Sequence, residues 1–193
     1  MSLATPDRHE LLALARASID SALSPSRVGG ELVPFTAALL PPSLTVRRSS
    51  FVTLRRNEEL RGCCGTLDAP RPLAEDVWRN AWAAAFNDYR FSPLTAAEWP
   101  QVSLHLSLLT TPEPLDVASE AQLLEVLRPS IDGLILESDI GRATFLPAVW
   151  EQIPDSAQFV RHLKMKAGWP ATYWSARVRA YRYTTESFGE ESG

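Results

Sequence analysis

The sequence has few cysteines and no long apolar run. Among its 193 residues there are 2 cysteines, and they are neighbours at Cys63 and Cys64. Adjacent cysteines close no useful loop, and a bridge between them strains the peptide that joins them, so we expect both thiols to be reduced. The chain has no CxxC motif and therefore no cysteine-ligated iron–sulfur cluster of its own. It also lacks an uncharged apolar stretch of roughly 18 residues, which excludes a transmembrane helix.

Basic residues are fewer than acidic ones. The chain has 19 Lys and Arg against 23 Asp and Glu, which gives a formal net charge of −4. Binding to nucleic acid depends on phosphate neutralisation and usually shows a basic excess, so the balance argues against a nucleic-acid partner. Charged residues from Asp7 to Glu10 occupy the place where a signal peptide has its apolar core. We therefore expect a cytoplasmic protein that binds no membrane.

What the sequence does contain is an ordinary globular composition. Hydrophobic residues make up 45% and charged residues 22%, which excludes a disordered or low-complexity chain. The apolar spacing predicts helices over residues 6–23, 72–86, 120–127, 147–153 and 156–166, and strands over 50–54, 60–67, 102–109, 134–136, 143–146 and 177–183. No steady βαβ rhythm is present, which predicts an α+β protein with mostly antiparallel sheet.

Local signals mark several ends of these elements. Thr5, Ser119 and either Asp155 or Ser156 are expected to cap helices. The pair Asn57-Glu58 lies between two strands and predicts a hairpin. Residues 25–43 are expected to form a loop, residues 111–114 to break a strand, and residues 189–193 to form a frayed tail.

The segment with the most unusual chemistry runs from Leu60 to Thr66. In an extended chain Arg61 and Cys63 share one face, and Cys64 lies on the other. A guanidinium favours the thiolate form of a nearby thiol, so Cys63 is either an activated nucleophile or a ligand-facing thiol. The alternative is that both cysteines are small buried apolar residues. We favour that alternative for Cys64 and leave both open for Cys63.

A nucleophilic thiol needs a base, and the chain has 3 histidines. His9 is near the start of a helix and is expected to be exposed. His105 lies opposite the apolar face of its strand and is expected to be a surface or partly buried polar residue. His162, on a helix, is the best candidate partner for Cys63. No metal site is expected, because adjacent cysteines seldom meet tetrahedral spacing.

A second candidate segment, residues 87–94, follows a predicted helix. Asp88 and Arg90 are candidates to bind a polar ligand or to pair with each other. The alternative is a structural turn in which Asp88 accepts backbone N–H bonds and Arg90 reaches the C-terminus of a helix.

Five ordered segments together resemble one family. They are Leu60-Arg61-Gly62-Cys63-Cys64-Gly65-Thr66, residues 88–95, residues 127–134, residues 144–151, and His162-Leu163 before Lys166-Ala167-Gly168. In this order they resemble the AMMECR domain family, which in bacteria and archaea is called protein A of the AmmeMemoRadiSam system. The resemblance covers about residues 10–188. The family usually has Ile at the position of Cys64, Pro at Tyr89 and Gly near Ser50, and the first difference supports an apolar role for Cys64.

The resemblance implies a single AMMECR domain over residues 1–193. Its fold is expected to be α+β and two-lobed, with mostly antiparallel sheets, flanking helices, interwoven lobes and a cleft between them. The Arg-Gly-Cys segment is expected near that cleft. The resemblance also implies an association with a Memo-like protein and a radical-SAM enzyme.

Three functions are consistent with these observations. The first is a cytosolic accessory component that holds a small molecule or a partner's segment and supplies no cofactor. Its candidate ligand-binding residues are Arg61, Gly62, Gly65, Thr66, Asp88 and Arg90. The second is an enzyme in which Cys63 is the nucleophile or thiol donor and His162 moves the proton. The third is an adaptor for protein or nucleic acid.

Overall fold

The chain forms two compact units. The computed structural model describes residues 2–24, 30–36 and 39–190. The first unit comprises Met1–Leu109 and Glu186–Gly193, and the second comprises Thr110–Thr185. Each unit combines helices with a four-stranded sheet and has its own apolar core. The α+β class with antiparallel pairing, which the sequence predicts, is confirmed.

The helices and strands alternate irregularly along the chain. The helices are α1 (Thr5–Leu23), α2 (Pro42–Thr45), α3 (Leu73–Phe86), α4 (Glu120–Val126) and α5 (Ser156–Lys166), with 3₁₀ turns at Trp99–Gln101 and Pro147–Glu151. The strands are β1 (Ser50–Arg56), β2 (Glu59–Gly65), β3 (Val102–Leu109), β4 (Glu113–Leu115), β5 (Gly133–Ser138), β6 (Gly141–Phe145), β7 (Arg179–Tyr183) and β8 (Thr185–Gly189).

The sheet of the first unit has the order β2-β1-β3-β8. Helices α1 and α3 cover one of its faces, where Val52 of β1 and Leu104 and Leu106 of β3 are buried in the core. Successive side chains of a strand point to opposite faces. The other face, which we call the outer face, therefore carries the alternate residues. These are Phe51, Thr53 and Arg55 of β1, Arg61, Cys63 and Gly65 of β2, and Ser103, His105 and Ser107 of β3.

The sheet of the second unit has the order β4-β7-β5-β6. Leu134 and Leu136 of β5 belong to its core, where the indole of Trp150 stacks on the ring of Phe159 with centroids 3.7 Å apart. Ile135 lies on the opposite face of β5 and is also buried. The central strand of this sheet is therefore buried on both faces.

Most predicted elements are present, and the differences lie in loops and near the end of the described chain. Strand β3 occupies the predicted residues 102–109, and the hairpin is confirmed, since Asn57 and Glu58 both have positive φ (51° and 65°) as a type I′ turn requires. Residues 177–183 are not the last strand, because β8 follows. The predicted break after β3 is confirmed, since β3 ends at Leu109, and the short strand β4 begins within residues 111–114. Residues 42–45 form a short helix where the loop was expected to end.

The predicted helix caps are confirmed at two of three places. Asp155 accepts a hydrogen bond from the Gln158 N–H at 2.8 Å, and Ser119 accepts one from the Gln122 N–H at 3.3 Å. Thr5, expected to be a cap, is instead the first helical residue of α1, and Ala4 precedes it without a side-chain bond.

The end of the chain is held where fraying was expected to begin. Gly189 ends β8, and Glu190 forms an ion pair with Arg16 at 2.6 Å. Residues 191–193 of the predicted tail, and residues 25–29 and 37–38 of the predicted loop, lie outside the described residues. Within the described part of the chain, no helix is long and apolar enough to cross a membrane.

Candidate functional site

Cys63 lies on β2, the edge strand of the first sheet, and its peptide is held from outside the sheet. Its N–H donates to Oδ2 of Asp88 at 2.9 Å, and its carbonyl accepts from Nη2 of Arg90 at 3.5 Å. An edge strand leaves such groups without a strand partner. Asp88 and Arg90 take the place of that missing strand at Cys63 and fix its backbone.

The Asp88 carboxylate and the Arg90 guanidinium also bind each other. Two hydrogen bonds join them, Nη2 to Oδ2 at 2.6 Å and Nε to Oδ1 at 2.9 Å. The Asp88 side chain is only 4% exposed, whereas that of Arg90 is 44% exposed. The bonds from Arg90, together with the N–H of Cys63, lower the pKa of Asp88 to about 2. The bond from the Cys63 N–H is of the kind that the structural alternative expects for Asp88, whereas Arg90 donates to a strand carbonyl and not to the C-terminus of a helix. Ligand binding by this pair stays a prediction.

The Cys63 side chain makes one hydrogen bond among the described residues. It is half-buried on the outer face, where its Sγ accepts a hydrogen bond from the Thr53 hydroxyl at 3.4 Å. Thr53 is its partner in register on β1. Because the N–H and carbonyl of Cys63 point out of the sheet, the two residues form a non-hydrogen-bonded pair, in which side chains approach most closely.

Cys64 differs from Cys63 in its surroundings. It points to the other face of β2 and packs against the apolar core of the first unit. Burial raises the pKa of its thiol. Cys64 thus behaves as the small apolar residue that the sequence analysis favours.

Arg61 faces the same side of β2 as Cys63, but its charge is paired. Its guanidinium donates to both carboxylate oxygens of Glu98, at 3.1 and 3.3 Å, and to the Ser92 carbonyl at 3.0 Å. The bonds from Arg61 and Thr95 lower the pKa of Glu98 to about 2. The Nη1 of Arg61 is buried and has no hydrogen-bond partner among the described residues.

Close packing explains why glycine occupies positions 62 and 65 of this segment. A Cβ on Gly62 would lie 2.1 Å from the Ala84 carbonyl oxygen of α3. A Cβ on Gly65 would lie 2.3 Å from the ring of Phe51, which is its partner in register on β1. The strand therefore needs glycine at both positions for close approach of backbone and ring.

Thr66 belongs to a buried polar network and not to the outer face. Its hydroxyl donates to Oδ2 of Asp76 at 2.7 Å, and the same oxygen accepts from the Ser50 hydroxyl at 2.7 Å and from the Asn80 amide at 2.9 Å. Arg71 pairs with the other oxygen of Asp76 at 3.1 Å. The network joins β1, the end of β2 and α3.

The histidines are distributed over both units. His162, the predicted partner of Cys63, is exposed on α5 of the second unit, whereas Cys63 belongs to the first. His105 is in the first unit, and it pairs in register with Thr53. The sheet thus places Cys63, Thr53 and His105 in one row across three strands. Sequence reasoning missed this row, because the register of β1 on β3 is a contact between distant segments.

The described residues contain no group of three or more His, Cys, Asp or Glu side chains arranged to hold a metal ion. The chemistry that the arrangement offers is that of a positioned thiol beside a hydroxyl and, one strand further, an imidazole. Such a set binds or reacts with a ligand through hydrogen bonds and sulfur.

Fold and site together define a class: an α+β protein with two antiparallel sheets, in which an Asp–Arg pair holds the peptide of an edge-strand cysteine. The comparisons with known proteins identify it further. The chain belongs to the AMMECR1 family, whose family model matches residues 12–188.

Relatives of the chain come from archaea and bacteria. It is 36% identical over 154 residues to a protein of Methanothermobacter thermautotrophicus, covering 79% of this chain and 80% of the relative. It is 34% identical over 192 residues to a protein of Thermofilum pendens, covering 93% and 88%. Among solved structures, the crystal structure of the uncharacterized protein PH0010 from Pyrococcus horikoshii is similar, with a TM-score of 0.88 and 29% identity, covering 98% of this chain and 94% of that one.

Proposed function

We propose that the protein is a binding component that takes up a small molecule, or a segment of a partner protein, on the outer face of the first sheet at Cys63. The observation that carries this proposal is the contrast within one residue. The backbone of Cys63 is fixed by Asp88 and Arg90, while its thiol is half-buried and bonded only to Thr53 among the described residues. A residue whose backbone is fixed while its side chain has few partners is preorganised to contact a ligand.

The chain supplies a matched pair of thiols to test this proposal. In Cys64→Ala the remaining thiol is Cys63, and in Cys63→Ala it is Cys64. Alkylation by iodoacetamide is measured against pH for both variants. We expect the Cys63 thiol to react faster by on the order of tenfold, because the half-buried Cys64 packs against the apolar core, where desolvation disfavours its thiolate. Equal rates, or a faster Cys64, would remove the basis of the proposal.

A second candidate function is an enzyme with Cys63 as nucleophile or thiol donor. The hydrogen bond from the Thr53 hydroxyl to Sγ supports it, because a donor to sulfur stabilises the thiolate. Thr53→Val keeps the shape of the side chain and removes the donor. If the thiol is activated in this way, the alkylation profile of Thr53→Val moves to higher pH. An unchanged profile would leave binding as the function.

The partners that the family resemblance implies are part of the proposal. We expect association in the cytoplasm with a Memo-like protein and a radical-SAM enzyme, to which this chain contributes no cofactor. Co-expression of the three proteins from one genome, followed by size-exclusion chromatography, tests the association. We expect Tyr89→Ala to change co-elution, because Tyr89 is 96% exposed beside the Asp88–Arg90 pair.

A further inference from the structure

The outer face of the first sheet carries cations and no carboxylate. None of the residues that define it is Asp or Glu, and the residues of β8 that meet it, Ser187 and Gly189, add none. Arg55 on this face is exposed, donates to the Glu58 carbonyl at 2.9 Å and forms no ion pair with a described residue. The whole chain, by contrast, has a formal net charge of −4. The charge of this face therefore favours an anionic ligand.

Arg90 is the cation that contacts Cys63 itself. Its Nη2 lies 3.5 Å from the Cys63 carbonyl oxygen. The carbonyl oxygen and Sγ of one cysteine are at most about 5 Å apart, so Nη2 of Arg90 lies within about 9 Å of the thiol. Hydrogen-bond and van der Waals contacts at the two ends take up much of that distance. A molecule of a few bonded atoms is therefore long enough to contact both groups.

The guanidinium of Arg90 keeps donors for a second acceptor. Asp88 accepts from Nη2 at 2.6 Å and from Nε at 2.9 Å, whereas no hydrogen bond joins Nη1 to any described residue. The Asp88 side chain is 4% exposed and that of Arg90 is 44% exposed, so the pair presents its cation to solvent. Asp88 thus orients the guanidinium and leaves Nη1 available to a further carboxylate.

The guanidinium of Arg90 also interacts electrostatically with the thiol. The hydrogen bonds to Asp88 raise the pKa of Arg90, and the negative charges of Asp88 and of a Cys63 thiolate raise it further. A group that stabilises a negative charge on Sγ in this way also stabilises an anion bound next to Sγ.

We propose that Arg90 is the anion-binding residue of the Cys63 site, and that the ligand is a small molecule with a carboxylate group. The carboxylate binds Nη1 of Arg90, and the carbon atoms next to it lie against the Cys63 thiol. This inference rests on the proposed function and names the chemical class of its ligand.

The test compares two alkylating reagents of similar size and different charge in a Cys64→Ala background. Iodoacetate carries a carboxylate, and iodoacetamide carries a neutral amide. With either reagent a bond forms from Sγ to the methylene carbon, iodide leaves with the electron pair of the C–I bond, and the thiol proton goes to the buffer. The ratio of the two rate constants cancels the thiolate fraction and reports the preference for the anion. The same protein unfolded in urea gives the reference ratio.

We expect the ratio of iodoacetate to iodoacetamide rates to be on the order of tenfold higher in the folded protein than in the unfolded one, because a hydrogen bond between two charged groups is stronger than one to a neutral amide. Arg90→Gln is expected to remove most of this gain. Arg55→Gln is the matched control, since it removes an exposed cation that does not contact Cys63, and it is expected to change the ratio by less than about twofold.

Propionate and propionamide give the same test without a substitution in Arg90. We expect propionate to slow the alkylation of Cys63 by iodoacetate and propionamide to have no such effect. A folded ratio equal to the unfolded one, equal losses in Arg90→Gln and Arg55→Gln, or equal protection by the two competitors would overturn this inference, while the proposed function stands. If neither reagent modifies Cys63 in the folded protein, the proposed function and this inference fall together.

Discussion

Each unit of the protein places an aromatic ring over a glycine of a neighbouring strand, and the two pairs differ in what surrounds them. In the second unit Tyr183 of β7 lies over Gly133 of β5, and in the first His105 of β3 lies over Gly189 of β8. A Cβ on either glycine would lie 2.4 Å from the ring. The close packing of a ring on a glycine is therefore the same in both units.

The rings of Tyr183 and His105 differ in how deeply they are buried and in the hydrogen bonds that they form. Tyr183 is 2% exposed, and its hydroxyl is bonded to the Thr144 hydroxyl at 2.7 Å and to the Phe145 carbonyl at 3.0 Å. Burial raises the pKa of this hydroxyl. A buried polar group must find such partners, whereas a half-buried one can leave them to a ligand. Among the described residues, by contrast, no hydrogen bond joins the nitrogens of His105.

The largest loss of stability is expected at Gly133, because the ring of Tyr183 that lies over it is buried. Gly133→Ala forces a methyl group into the buried ring of Tyr183, and we expect a loss of about 2–4 kcal/mol in the free energy of unfolding. Gly189→Ala is the matched control, since the imidazole of His105 is half-buried and no hydrogen bond to a described residue fixes it. Urea unfolding of both variants measures the difference. Equal losses would contradict the contrast between the two pairs.

A smaller effect is expected from removing the buried hydroxyl alone. Tyr183→Phe leaves the ring over Gly133 but deprives the Phe145 carbonyl of its donor, and we expect a loss of about 1–2 kcal/mol. Thermal unfolding monitored by circular dichroism provides the measurement. A variant as stable as the wild type would show that the hydroxyl contributes as little to the fold as the nitrogens of His105.

The bonds that Asp88 forms with Cys63 and Arg90 should make the free energy of unfolding depend on pH. The pKa of Asp88 in the folded protein, about 2, lies below its ordinary value of 3.8, so its ionised form stabilises the fold above that ordinary value. This contribution is lost as the pH falls through about 2. We expect Asp88→Asn to cost about 1 kcal/mol at pH 6 and progressively less below pH 4. Urea unfolding of wild type and variant across this range measures the gap. A gap that does not narrow in acid would rule out the ion pair as its source.

The smallest change in stability is expected at His105, whose ring is half-buried. His105→Ala removes no hydrogen bond between described residues, and we expect a change within about 0.5 kcal/mol. The same urea unfolding that measures Gly133→Ala applies here. A loss comparable with that of Tyr183→Phe would mean that His105 supports the sheet, and the distinction between the two rings would then disappear.

The comparison also shows how much of the molecule could be predicted from its sequence. Strand β3 was predictable because its buried positions alternate with half-buried ones from Val102 to Leu108. Strand β8 was not, since Thr185–Gly189 has no apolar alternation and lies on its sheet through pairing with distant β3. Local pattern identifies an element only when burial repeats along it.

The candidate site was partly predictable for the same reason. The face shared by Arg61 and Cys63 follows from strand periodicity. The pairing of Thr53 with Cys63 does not follow from the turn at Asn57, because it depends on a register shift between Leu54 and Arg55. The position of His105 does not follow, because nothing in the sequence fixes the register between β1 and β3. Nor does a spacing reveal that Asp88 accepts a hydrogen bond from the backbone N–H of Cys63.

The pair Asp88–Arg90 has a consequence for how other chains can approach. An open strand edge invites a second chain to add its own strand, in specific recognition or in aggregation. At Cys63 the outward N–H and carbonyl of β2 are already bonded to this pair. An incoming strand would have to displace a carboxylate and a guanidinium that also bind each other. The edge is therefore closed to β-augmentation at this point, which removes one place where a second chain could add its own strand.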